Sequence, residues 1–143
     1  LRKGASHSAE ERLDRSHAHW RELGREARDN LQALEVLLND YVPALAALAT
    51  IGLFRALEPE FKAALLRAGV AVQGRGLLGD MVAAAQAQPA GLVRDIGTAC
   101  DVSVVNLRNH AAHGDPVADA DFQRVKLLIL GAGRGLLWQL LKV

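Results

Sequence analysis

The residue types best suited to chemistry gather in one stretch, Leu107-Arg108-Asn109-His110-Ala111-Ala112-His113-Gly114. Two of the five histidines lie there, beside an arginine and a carboxamide. Histidine moves protons near neutral pH, and the planar guanidinium offers a fork of donors to an anion. His110 and His113 are three apart, which puts them on one side of a helix. Together with Asp115 they supply three potential metal ligands. No fourth ligand is evident, so neither a metal nor another cofactor is expected.

Two other patterns in the chain carry less chemistry. Val125 to Leu136 resembles the strand and glycine turn of a dinucleotide-binding fold, but Gly135 arrives one residue early. The acidic residue expected about 20 positions on lies past Val143, and no βαβ unit can be completed. The reading preferred for these glycines is helix packing, with small residues letting another helix approach closely. His17 and His19 are two apart and point to different helix faces, so they are expected to be solvated polar positions.

Composition then says what must position the motif. The chain has 143 residues, room for one domain with a proper core. Half of them are apolar, which opposes disorder, and alanine and leucine outnumber β-branched and aromatic residues, which favours helix. The formal net charge of +1 excludes a strongly basic nucleic-acid coat and leaves room for a local basic site. The single cysteine, Cys100, cannot staple the fold and fits a reducing, cytoplasmic compartment. No apolar run reaches the about 18 uninterrupted residues a membrane helix needs, so no membrane is expected as partner. The chain opens on Leu1, not Met, which points to a processed or excised piece with further domains in a parent protein. Residues 1–8 are read as linker or expression remnant, and 9–143 as one helical domain.

The expected fold is all-α, a bundle of five to six helices with a long N-terminal helix. That first helix is capped near Ser8 and runs to about Asp40, with Trp20, Ala27, Leu34 and Tyr41 as a stripe every seven residues. At about 30 residues it would span about 45 Å, and its first turns would project into solvent or meet a partner. A second helix runs from Pro43 to Leu57, apolar nearly all round. Glu58-Pro59 makes a turn, and Pro59 opens a third helix ending at Gly69. Val70 to Gly79 reads as a loop, and Asp80 to Gln88 as a short helix. A fifth helix runs from Leu92 to His113. Its Val102, Val104 and Val105 suit a strand, but a lone strand would have no partner for its backbone bonds. Gly114 sits at its C′ position and Pro116 stops it. The last helix, capped by Asp119 or Asp121, runs to about Lys142; it is the most apolar and is expected to be central. The pentapeptide Gly-Arg-Gly-Leu-Leu at Gly74 and again at Gly133 has unmatched flanks and is read as coincidence.

Arg108-Asn109-His110-Ala111-Ala112-His113 spells arginine, four residues, histidine, with a polar residue straight after the arginine. It resembles the motif of the HEPN superfamily, all-α bundles in which that motif stands near the end of the penultimate long helix. The resemblance covers the domain in architecture and about eight residues in sequence. It implies a metal-independent endoribonuclease, a hydrolase acting on single-stranded RNA as a homodimer whose two motifs form one composite site. RNA self-cleavage needs a base for the 2′-hydroxyl proton, an acid for the leaving 5′-oxygen and positive charge on the phosphate. In those terms His113 transfers protons, Arg108 clamps the phosphate, Asn109 orients them and His110 contacts the substrate. Residues five apart on a helix sit about 140° apart around its axis, so Arg108 and His113 need a helix end, a bend or a second chain to act together. The tyrosine found two residues after the histidine in a toxin subgroup is absent, since Asp115 stands there. The same fold also serves as a non-catalytic dimerisation, protein-interaction or nucleotide-binding module of a larger protein, and that is the alternative reading.

Overall fold

A computed structural model describes residues 3–143. Among them the regular structure is entirely helical, with no strand and with eight α-helices: α1 (Lys3–Ser16), α2 (Arg25–Asn39), α3 (Ala46–Arg67), α4 (Leu78–Gln86), α5 (Leu92–Ala99), α6 (Val102–Ala112), α7 (Asp119–Leu130) and α8 (Leu136–Leu140). Three of the six expected helices are broken in two, and two are joined into one.

The long N-terminal helix is the first correction. Its chain is already helical at Lys3, five residues before the expected start at Ser8; Leu1 and Arg2 lie outside the described residues. The helix then stops at Ser16, makes a short 3-10 turn over Trp20–Glu22 and restarts at Arg25. The break folds α1 back instead of projecting it. Ala9 and Leu13 are fully buried, and Arg12 Nε donates to Glu35 Oε1 of α2 at 3.0 Å. The apolar stripe is real but is shared between two elements: Trp20 belongs to the turn, and Ala27, Leu31 and Leu34 are the buried face of α2.

Gly24 caps α2 and has no side chain to satisfy the helix's first amides. The Glu60 carboxylate of α3 accepts from one amide at this helix start, that of Gly24 itself. Among the described residues Glu60 is one of two buried polar side chains, and its negative charge sits where the exposed amides and helix dipole favour it.

Pro59 does not start a helix; α3 passes through it without interruption. A proline inside a helix removes one amide donor and leaves the carbonyl four residues earlier without its partner. That carbonyl belongs to Arg55, and Asn30 Nδ2 of α2 donates to it at 3.3 Å. A side chain from the neighbouring helix thereby replaces the bond Pro59 cannot make. The merged helix is the hub of the fold, packed against α2, α4, α6, α7 and α8. It takes the central place expected of the last helix, with Leu53, Leu57, Phe61 and Leu65 at most 2% exposed.

The expected fifth helix divides at Cys100-Asp101. Asp101 caps α6, accepting from the Ser103 and Val104 amides at 3.0 and 3.2 Å. The Val102–Val105 cluster is helical, as expected. The last helix divides at Gly131–Gly135, and its cap is Ala118, neither Asp119 nor Asp121. These glycines are not a groove for another helix. A Cβ on Gly131 would lie 2.5 Å from the Leu127 carbonyl oxygen, and one on Gly135 would collide with the Ile129 carbonyl oxygen. The small residues let the chain turn tightly over the end of α7, and Trp138 then bonds back to the Leu130 carbonyl at 3.3 Å.

Candidate functional site

The motif occupies the last turn and the end of α6. Its termination is a Schellman turn: the Gly114 amide bonds the Ala111 carbonyl at 3.1 Å, and the Asp115 amide bonds the His110 carbonyl at 2.9 Å. Gly114 makes this possible with φ +79°, a left-handed conformation that costs glycine little. His113 is the capping residue, the point where the helical path ends.

The two principal residues part company there. Arg108 turns inward to α3, where Nη2 donates to Glu58 Oε1 at 3.1 Å and Nε donates to Oε2 at 3.4 Å. Both side chains are about three-quarters buried, at 24% and 21% exposure. His113, His110 and Asn109 are all exposed. One helix therefore carries the guanidinium on its packed side and the imidazoles and carboxamide on its open end. No hydrogen bond joins Arg108 to His113 among the described residues. The expectation that the helix ends at the motif is met, and the ending alone does not bring the two side chains together.

Glu58 was read only as part of a turn, yet it is the residue that holds Arg108. Its local sequence carried no signal of this, because Arg55, Glu60 and Lys62 surround it with other charges and the partner lies fifty residues away. A guanidinium has five N–H donors, so the Glu58 pair leaves three of them outside it. The pair fixes the plane of the guanidinium and offsets its charge.

At the other end of α6, the Ser103 hydroxyl donates to Asp101 at 2.7 Å. That bond and the Val104 amide, with the Ser103 amide and the charge of Arg124 adding to them, hold the Asp101 carboxyl below its ordinary range. Cys100 next to it is buried, which pushes its thiol up to about 12 and leaves it a packing residue, not a nucleophile. No group of three or more His, Cys, Asp or Glu side chains gathers as metal ligands among the described residues.

A second grouping surrounds His17, which is not the solvated position expected from sequence. Its ring stacks on Trp138 with centroids 5.2 Å apart, and its Nδ1 is buried without a hydrogen-bond partner. Burial holds its pKa below the usual histidine value; the charge of Lys126 acts the same way, and Glu35 acts against them. His19 is exposed, as expected, and meets the Glu22 carboxylate.

No helix among the described residues is long and apolar enough to cross a membrane. Comparison of the chain with protein-family models, with curated proteins and with solved structures finds no match.

Proposed function

We propose that the chain is a HEPN-type endoribonuclease that cleaves single-stranded RNA without a metal, at a composite site formed by two copies. One observation carries the reading: the Arg108–His113 spacing ends in a Schellman turn that leaves His113, His110 and Asn109 exposed on one helix end. Exposed imidazoles on a rigid, capped helix end can reach a bound RNA. Arg108 is oriented by Glu58 and keeps donors outside that pair. Because one chain turns Arg108 and His113 different ways, a second copy provides the complementary imidazole. In this scheme His113 transfers protons, Arg108 binds the phosphate, Asn109 orients the two and His110 contacts the RNA. The compartment is reducing and cytoplasmic, which suits the lone thiol Cys100.

The experiment is degradation of unstructured RNA by the purified protein in EDTA. Products bearing a 2′,3′-cyclic phosphate and a 5′-hydroxyl are expected, and Arg108→Ala and His113→Ala each abolish them. Cleavage that requires a divalent metal, or that survives both substitutions, overturns the mechanism.

A second reading has its own support. A partly buried, two-bond pair such as Arg108–Glu58 is also what a purely structural arginine makes. This reading makes the chain a non-catalytic interaction or nucleotide-binding module. It predicts a stable dimer or partner complex by light scattering, with no turnover of RNA.

A further inference from the structure

α2 and α3 form an antiparallel hairpin. Asn30 in the first half of α2 reaches the Arg55 carbonyl in the middle of α3, and residues 40–45 join their other ends. A shallow groove of about 320 Å³ runs between the two helices. Ala33, Val36 and Leu37 supply one wall, at the three- and four-residue spacing that puts side chains on one helix face. Leu48, Ile51 and Gly52 supply the other. Leu48 is 54% exposed, a large apolar side chain left open to solvent. None of the motif residues 108–113 lines the groove.

The two ends of this apolar strip carry opposite charges. Arg55 closes one end and is exposed. Asp40 stands at the other, one turn beyond Val36 at the end of α2, and is exposed as well. Neither forms an ion pair among the described residues. Asp40 also sits at the negative end of the α2 dipole, with no basic residue in the last turn to offset it. Such a strip complements itself. Two copies can pack these faces together with the two-fold axis in the interface plane, either across the strip or along it. With the axis across the strip, each Arg55 meets the other copy's Asp40. With the axis along it, arginine meets arginine and aspartate meets aspartate, an arrangement that like-charge repulsion opposes.

We propose that the α2–α3 strip is a two-fold interface with a second copy of this chain, the two strips running in opposite directions. Apolar side chains fill the middle, and two Arg55–Asp40 pairs close the ends. The strip is about 15 Å long from Asn30 to Asp40 and two helices wide, smaller than the about 800 Å² per partner of a standard stable interface, so the dimer is weak and concentration-dependent. The contact uses no residue of the motif and is independent of the ribonuclease reading.

The test is sedimentation velocity of the full chain from about 10 µM to about 1 mM, with the circular dichroism and thermal unfolding of each variant checked against the parent. The mass is expected to rise from that of the 15.3 kDa monomer toward twice that value. Leu48→Glu, at an exposed side chain, should keep the fold and hold the chain monomeric across the range. Arg55→Glu and Asp40→Arg should each weaken association about tenfold, and the two together should restore it to within about threefold of the parent. A chain that is monomeric at about 1 mM overturns the proposal and leaves the strip to a different protein. Association that survives Leu48→Glu runs through another face and overturns it too. So does indifference to the charge reversals, or a loss in either one that the double variant does not recover.

Discussion

Arg108 and Glu58 meet through two bonds across fifty residues of chain, tying the motif-bearing α6 to the middle of α3. The pair makes the position of the motif a tertiary property. Removing one partner leaves the other charge partly buried and unmatched. Arg108→Ala is therefore expected to cost about 1–3 kcal/mol, read by urea unfolding. Glu58→Ala should cost a similar amount. The double variant should cost less than the sum, by about 1 kcal/mol. Strict additivity would mean the pair contributes nothing to stability. The cycle also guards the RNA assay, because loss of activity in Arg108→Ala counts only at a temperature where the variant is folded.

The proline in α3 gives a second double-variant test. Asn30→Ala removes the donor that serves the Arg55 carbonyl and should cost about 1 kcal/mol. Pro59→Ala restores the missing amide, and α3 is then expected to supply the bond itself. In that background Asn30→Ala should cost measurably less. Equal costs in both backgrounds would show that Asn30 acts elsewhere, through its 2.9 Å bond to the Glu26 carbonyl.

His17 predicts how stability depends on pH. Its pKa in the folded chain is held below the reference value of 6.5, chiefly by burial. Between the folded value and 6.5 the unfolded chain binds more protons, so stability rises with pH across that window. The contribution is complete above 6.5 and is lost as pH falls through the folded value. Asp14 and Asp101 are held below 3.8, so their stabilisation is lost only under more acidic conditions. Denaturant unfolding at about pH 7.5 and about pH 5.5 should show a decrease that His17→Phe flattens. An unchanged slope in the variant would remove His17 as its source.

How much of this was legible in the sequence depends on whether the cause was local. The end of α6 was readable because glycine at C′ acts on its own carbonyls, and Gly114 stands where the pattern stops. The continuity of α3 was not, because the group that compensates Pro59 arrives from Asn30, a turn and a helix earlier. The break before α2 was hidden by a stripe that continues across it: Trp20 and Ala27 keep the seven-residue interval while the backbone between them leaves the helix. His17 was misjudged because its burial depends on Trp138, at the far end of the chain. The Arg108–His113 spacing was fully visible, whereas the direction each side chain takes depends on Glu58.

Glu60 carries a consequence for cooperativity. The start of α2 is defined by a carboxylate thirty-six residues away, not by the residues beside Gly24. A peptide spanning residues 24–39 has no equivalent acceptor for the Gly24 amide and would fray from its first turn. That bond exists only when α3 is docked, so this part of the helix start is a tertiary contact. Gly24→Ser would give α2 a cap of its own, and with it a start that no longer waits for the rest of the chain.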